Sequence, residues 1–151
     1  MRKRVVSSPS PDTTWLSLET LAQAEITSED PAHPIESALT GQPPSGWQAA
    51  APGEQTIRFL FDHPLRIRRI HLVFGGQKQE RTQEFLLRWS SDGGQTYREI
   101  LRQQYHFSPG TNDEVEDYTV DLDHLTTLEI RITPDIAGGL ARASLARLQV
   151  S

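Results

Sequence analysis

The side chains able to do chemistry are scattered along this chain. The five histidines, His33, His63, His71, His106 and His124, stand singly, with no H-E-x-x-H pair and no short spacing that would close a zinc shell. No G-x-S-x-G elbow marks a nucleophile. Gly75-Gly76-Gln77-Lys78 lacks the spacing and the following Ser or Thr of a phosphate-binding loop, and reads as a hairpin loop. The acidic run from Asp113 to Asp117 offers several oxygens to a hard cation such as calcium. It does not match the twelve-residue EF-hand pattern, and no second loop completes the shell, so no metal is expected there. Trp47 has two readings: it plugs the end of a core, or it presents its ring to a ligand. Tyr105 and Phe107 share that ambiguity.

The elements that would position such groups are strands. Ser90-Ser91-Asp92-Gly93-Gly94-Gln95-Thr96-Tyr97 is a tight turn, because Gly accepts positive φ and Asp bonds its own backbone across the bend. Phe85, Leu87 and Trp89 alternate with Glu84, Leu86 and Arg88, the period of a strand with one buried face. The turn also resembles the Asp-box of sialidases and other propellers, with Tyr97 where that pattern usually has Trp. It occurs once, and the box is a structural hairpin in those families, so glycoside hydrolysis has no other support.

Further strand signals run through Ile57–Phe61, a turn at Asp62-His63-Pro64, and then Ile70–Phe74, with a bulge expected near Arg68-Arg69 because Ile67 falls out of phase. Others cover Tyr97–Phe107, Tyr118–Leu122, Leu128–Ile132 and Ala146–Val150. Trp15 to Ile26 fits a short helix or a first strand. Ser28 to Gly46 carries four prolines and is expected to be a long surface loop without regular structure. Seven or eight short strands with no crossover helix predict an all-β antiparallel sandwich, one domain over residues 15–151 behind a loose arm at residues 1–14.

The formal charge of −5 disfavours non-specific nucleic-acid binding. Arg66, Arg68 and Arg69 cluster, as do Glu114, Glu116, Asp117, Asp121 and Asp123. They form either solvated rims of opposite sign or an interaction patch. No cysteine is present. Only Val5-Val6 follow the basic start before Ser7-Ser8-Pro9, so there is no signal-peptide core and no spanning segment. A cytoplasmic location is the expectation.

Taken together, Ala24-Glu25-Ile26-Thr27-Ser28, Gly46-Trp47-Gln48-Ala49, Gln55 to Phe61, Leu65 to Leu72, Phe85 to Tyr97, Leu128 to Pro134 and the closing Ala143 to Val150 resemble a discoidin domain, the F5/8 type C family. The resemblance implies a galactose-binding-like jelly roll that binds rather than catalyses, with glycans, phospholipid head groups or proteins among the ligands of relatives. It implies a mouth built from the Ser28–Gly46 and Gly75–Arg81 loops. The candidate contacts are His33, Glu36, Gln42, Gln77, Lys78 and Arg81, with Trp47 beside them. Arg81 leads, because its fixed fork engages two hydroxyls or an anion. The plainer reading pairs it with Glu80 or Glu84. Calcium-holding relatives use an Asp-Gly in the first loop and a Glu in the last strand. This chain has Thr40-Gly41 and Arg147, so no cofactor is expected. The mouth loops are polar, which disfavours a membrane. The resemblance thus implies a carbohydrate-binding-like module for a glycan or small polar ligand; the alternative is a protein-interaction adaptor in a cytoplasmic assembly.

Overall fold

The structure is a computed structural model that describes residues 1–3, 15–41, 46–75, 80–109 and 113–151. The hairpin read from Asp92-Gly93-Gly94 is present: β4 (Arg81–Ser90) pairs antiparallel with β5 (Arg98–Phe107), from Arg81 opposite Phe107 to Trp89 opposite Arg98. Its turn ties itself together. Ser90 Oγ donates to Asp92 Oδ1 at 2.6 Å and accepts the Gly94 N–H at 2.9 Å, while Asp92 Oδ1 takes the Thr96 N–H at 2.9 Å. Gly93 and Gly94 have φ of 76° and 89°, values that L side chains rarely adopt.

Two 20-residue strands form the spine. β3 (Gln55–Phe74) and β6 (Glu114–Thr133) pair antiparallel along their lengths, with register shifts between Leu60 and Arg69. The turn expected at Asp62-His63-Pro64 is therefore a bend inside one continuous strand. Pro64 brings no N–H and falls in the unpaired stretch between Leu60 and Leu65. Across the bend His124 adopts φ 54°, the one positive value outside glycine among the described residues.

Bending lets both strands serve two layers. The halves Gln55–Leu60 and Thr127–Ile132 join β1 (Ala22–Ile26), β4 and β5 in the order β1-β3-β6-β4-β5. The halves Ile67–Phe74 and Glu114–Leu122 join β8 (Arg147–Val150). The layers face one another through Phe74 and Phe85, whose ring centroids lie 4.9 Å apart. Ile57, Phe59, Leu87 and Ile130 from one layer and Ile70, Leu72, Leu148 and Val150 from the other fill the space between. A separate pair, β2 (Trp47–Pro52) with β7 (Arg142–Leu145), closes one flank. The expected final strand is thus two, β7 and β8, and Phe85–Leu87 and Leu128–Ile132 face inward as their alternation predicts.

The Ser28–Gly46 segment is not structureless. It holds α2 (Ile35–Thr40), and α1 (Leu18–Leu21) precedes β1, so both readings of Trp15–Ile26 are realised. Ile35 and Ala38 of α2 face the core, and the Glu29 carboxylate accepts the Ile35 N–H at 2.6 Å. The Gly75–Arg81 connection crosses from one layer to the other and is not a hairpin loop, since β3 and β4 do not pair. The opposed charge clusters meet each other: Arg66 binds Asp121 and Arg69 binds Asp117, each through two bonds of 2.5–3.1 Å. Of the arm expected over residues 1–14, residues 4–14 lie outside the described residues. Among those described, no helix is long and apolar enough to cross a membrane.

Candidate functional site

Strand ends place four connections at one end of the sandwich. Phe74 lies opposite Glu114, Arg81 opposite Phe107, and Gln55 opposite Ile132. The described ends of four connections, residues 27–41 and 46, 75 and 80, 108–109 and 113, and 134–141, therefore gather at this mouth. Leu16 and Ser151, which bond to Val150 and to Arg68 and Arg69, sit at the far end.

The mouth residues divide by where their side chains point. Arg81 is 2 % exposed and turns inward, which corrects its expected place as an exposed loop contact. Arg81 Nη1 donates to the Pro134 carbonyl at 2.8 Å and to Gln83 Oε1 at 3.2 Å, and the guanidinium lies 4.4 Å above the Phe107 ring. Burial lowers its proton affinity from the ordinary value, partly opposed by Asp135. It pairs with neither Glu80 nor Glu84: Glu80 meets His106, and Glu84 takes Arg102 and Gln104. Strand parity is the cause, since Arg81 and Gln83 share the inward face of Phe85 and Leu87.

Trp47 is 1 % exposed and donates Nε1–H to the Ser28 carbonyl at 3.2 Å, so it is a core residue and not a ligand face. Phe107 is likewise buried. His33 is half-buried, with its backbone bonded to Asp30 and Gln48. Glu36 is exposed but sits away from Arg81, on the β1 flank. It lines a groove of about 320 Å³ with Glu19, Leu18, Ala22, Ala24, Ile35, Leu39 and Phe59. Gln42, Gln77 and Lys78 lie outside the described residues.

Sequence reasoning named Glu114 and Glu116 within the acidic run but passed over their grouping with Tyr118 and Tyr105, where edge strand β5 faces the first half of β6. Tyr118 Oη donates to Glu116 Oε2 at 2.7 Å. Burial, then a hydrogen bond and repulsion from Glu116, push Glu114 up to about 7, against a hydrogen bond from Tyr105. Its signal was the alternation Glu114-x-Glu116-x-Tyr118. Asp117 points to the opposite face, toward Arg69. The acidic run therefore does not converge, and no group of three His, Asp or Glu among the described residues is arranged to hold a metal. The Arg147 guanidinium lies so close to Gly41 that a Cβ there would stand 1.8 Å from Nη1.

The F5/8 type C domain model matches residues 22–147. The chain belongs to the F5/8 type C domain family. Solved structures share this fold. A family 32 carbohydrate-binding module from Clostridium perfringens in complex with GalNAc-β-1,3-galactose is 19 % identical, with 91 % of this chain and 99 % of that one covered and a TM-score of 0.68. The family 32 module of NanJ from C. perfringens, in complex with galactose, is 18 % identical over 91 % and 97 %, with a TM-score of 0.63. The module of AlyQ in complex with 4,5-unsaturated mannuronic acid is 20 % identical over 87 % and 95 %, with a TM-score of 0.54. No curated protein matches in sequence. In this F5/8 type C domain the buried polar pair Arg81 and Gln83 therefore stands just inside the mouth, on the first strand after the 75–80 connection.

Proposed function

We propose that this F5/8 type C domain is a non-catalytic carbohydrate-binding module whose glycan site is the mouth formed by segments 27–46, 75–80, 108–113 and 134–141. The observation that carries this reading is the convergence of these four segments at one end of a fold shared with modules solved in complex with sugars. A glycan site needs a rigid frame and a few convergent polar groups, and paired strands supply the frame. The hydrolase reading loses its motive, because the Asp92 carboxylate is committed to Ser90 and Thr96 inside a turn. In this reading binding needs no calcium, since the Arg147 guanidinium stands against Gly41. Screening the protein on a broad glycan array, followed by isothermal titration of the hits, tests the proposal. Saccharide binding that weakens in the Gln77→Ala, Lys78→Ala and His33→Ala variants is expected. No binding across the panel overturns it.

A further inference from the structure

The five-stranded layer ends in small side chains. Its edge strand β1 turns Ala22, Ala24 and Ile26 toward the core, and β3 sets Phe61, Phe59 and Ile57 opposite them. Two methyl groups fill little of the space beside α1 and α2. A groove of about 320 Å³ remains there, with Phe59, Ala22 and Ala24 meeting Leu18, Ile35 and Leu39. Two carboxylates line it as well, Glu19 from α1 and Glu36 from α2. Both are exposed, and among the described residues neither has a cationic partner.

The backbone beside the groove is open too. Thr27 N–H donates to the Thr56 carbonyl at 3.1 Å, which makes Thr27 and Thr56 a hydrogen-bonded pair of the β1–β3 ladder. Such pairs alternate along an antiparallel ladder. Thr27, Glu25 and Gln23 therefore turn their N–H and C=O groups to β3, whereas Ile26, Ala24 and Ala22 turn theirs to the outer edge. The Ala22 N–H is taken by the Leu18 carbonyl. Ala24 and Ile26 keep theirs, because β1 ends the layer and pairs only with β3 among the described residues. At Ala24 a donor, an acceptor and a small side chain over an apolar groove thus coincide.

We propose that this flank is a docking site for an extended basic peptide of a partner protein. The peptide adds to β1 as a further antiparallel strand, seats one aliphatic side chain in the groove beside Ala24, and lays a lysine or arginine two positions away against Glu19 and Glu36. Strand addition draws affinity from main-chain hydrogen bonds and selectivity from the pocket that takes alternate side chains. Residues directly opposite, and those two positions on, share a face, so the aliphatic and basic groups reach the groove together. The two uncompensated carboxylates favour a cationic partner over a neutral or acidic one. The inference stands apart from the carbohydrate reading.

The test titrates the full chain at low salt with the peptide acetyl-Thr-Lys-Thr-Leu-Thr-Lys-Thr-amide. It is expected to bind at least about tenfold tighter than the same peptide with glutamates for the lysines, or with serine for the leucine. N-methylation at the leucine keeps every side chain but removes the N–H aimed at the Ala24 carbonyl, and should weaken binding at least about fivefold. Amide exchange at Ala24 and Ile26 should slow in the complex. In the double variant Glu19→Lys with Glu36→Lys, both at exposed positions, the glutamate peptide should become the tighter ligand. The peptide comparisons need no variant, so they stand even if that protein folds poorly. Equal binding of the lysine and glutamate peptides overturns the proposal, as does indifference to N-methylation or the lack of saturable binding at about 1 mM. Hexylamine binding as tightly as the peptide overturns it in favour of a small cation. Self-association of the protein that protects Ala24 overturns it in favour of a second copy.

Discussion

Glu129→Gln is the substitution whose cost the structure sets most clearly. The Glu129 carboxyl is fully buried on the outer face of the five-stranded layer, and three strands send arginines to it. Arg58 Nε reaches Oε2 at 2.8 Å, Arg88 Nη2 reaches Oε1 at 2.7 Å, and Arg131 Nη2 stands 3.5 Å from Oε1. Glutamine keeps the volume, so no cavity opens, and the loss is electrostatic. Removing one partner from a buried ion pair costs about 3–5 kcal/mol. Here the arginines retain 26–42 % of their side-chain exposure and water can resolvate them. That discount brings the expected loss to about 2 kcal/mol. For a chain of 151 residues this is a fall in Tm of about 4–8 °C. The pH dependence has a definite sign. Burial pushes Glu129 up, but hydrogen bonds from Arg58 and Arg88 overcome it and hold the group below the ordinary carboxylate range. Its contribution is thus present above the unfolded-state value and lost as pH falls through the folded one. Urea unfolding of both proteins, from neutral pH down to the onset of acid unfolding, is the assay. A difference under about 0.5 kcal/mol at neutral pH, or one that grows as pH falls, would refute the reasoning.

At Glu114 the sign is opposite. Its carboxyl is raised to about 7, so the fold binds the extra proton and wild-type stability should decline as pH rises from about 4.5 to about 7. Glu114→Gln is expected to flatten that slope in a series of thermal melts. Asp92 is held down to about 2 by Ser90 and Thr96, so Asp92→Ala should speed amide exchange in the β4–β5 hairpin while leaving the β3–β6 spine protected. Gly41 combines φ 71° with the Arg147 guanidinium at its α-carbon, and Gly41→Ala should destabilise the fold by about 1 kcal/mol or more in chemical denaturation. Glycan affinity measured with EDTA is expected to equal that measured with added calcium.

Much of the frame was legible because buried strands write their period into the chain. Phe85, Leu87, Leu128, Ile130 and Ile132 alternate, and all five face the core. Breaks were harder to read than faces. Pro64 looked like the end of a strand, yet β3 absorbs it as a bulge, and only the partner strand reveals that pairing resumes. Helix α2 was hidden because six residues are too few to show a helical period. The prolines and glycines around it signalled loop, although Pro34 and Gly41 are its caps. At the site, the two-residue period counted back from Phe85 puts Gln83 and Arg81 on the inward face. That signal was present, and the expectation of a loop contact overrode it. The Nη1 bond to Pro134 spans 53 positions and leaves no local trace. The carboxyl pair at Glu114 and Glu116 follows from the alternation along β6, but the Tyr105 hydrogen bond to it depends on β5 lying across from β6, which is a matter of topology alone.

The most direct test of the mouth as the binding site is an amide chemical-shift map of the ¹⁵N-labelled protein titrated with the tightest glycan from the array. The account predicts shifts confined to segments 27–46, 75–80, 108–113 and 134–141 and the strand ends that carry them. Shifts centred on the Ser91–Tyr97 turn or on the end that holds Leu16 and Ser151 would contradict it.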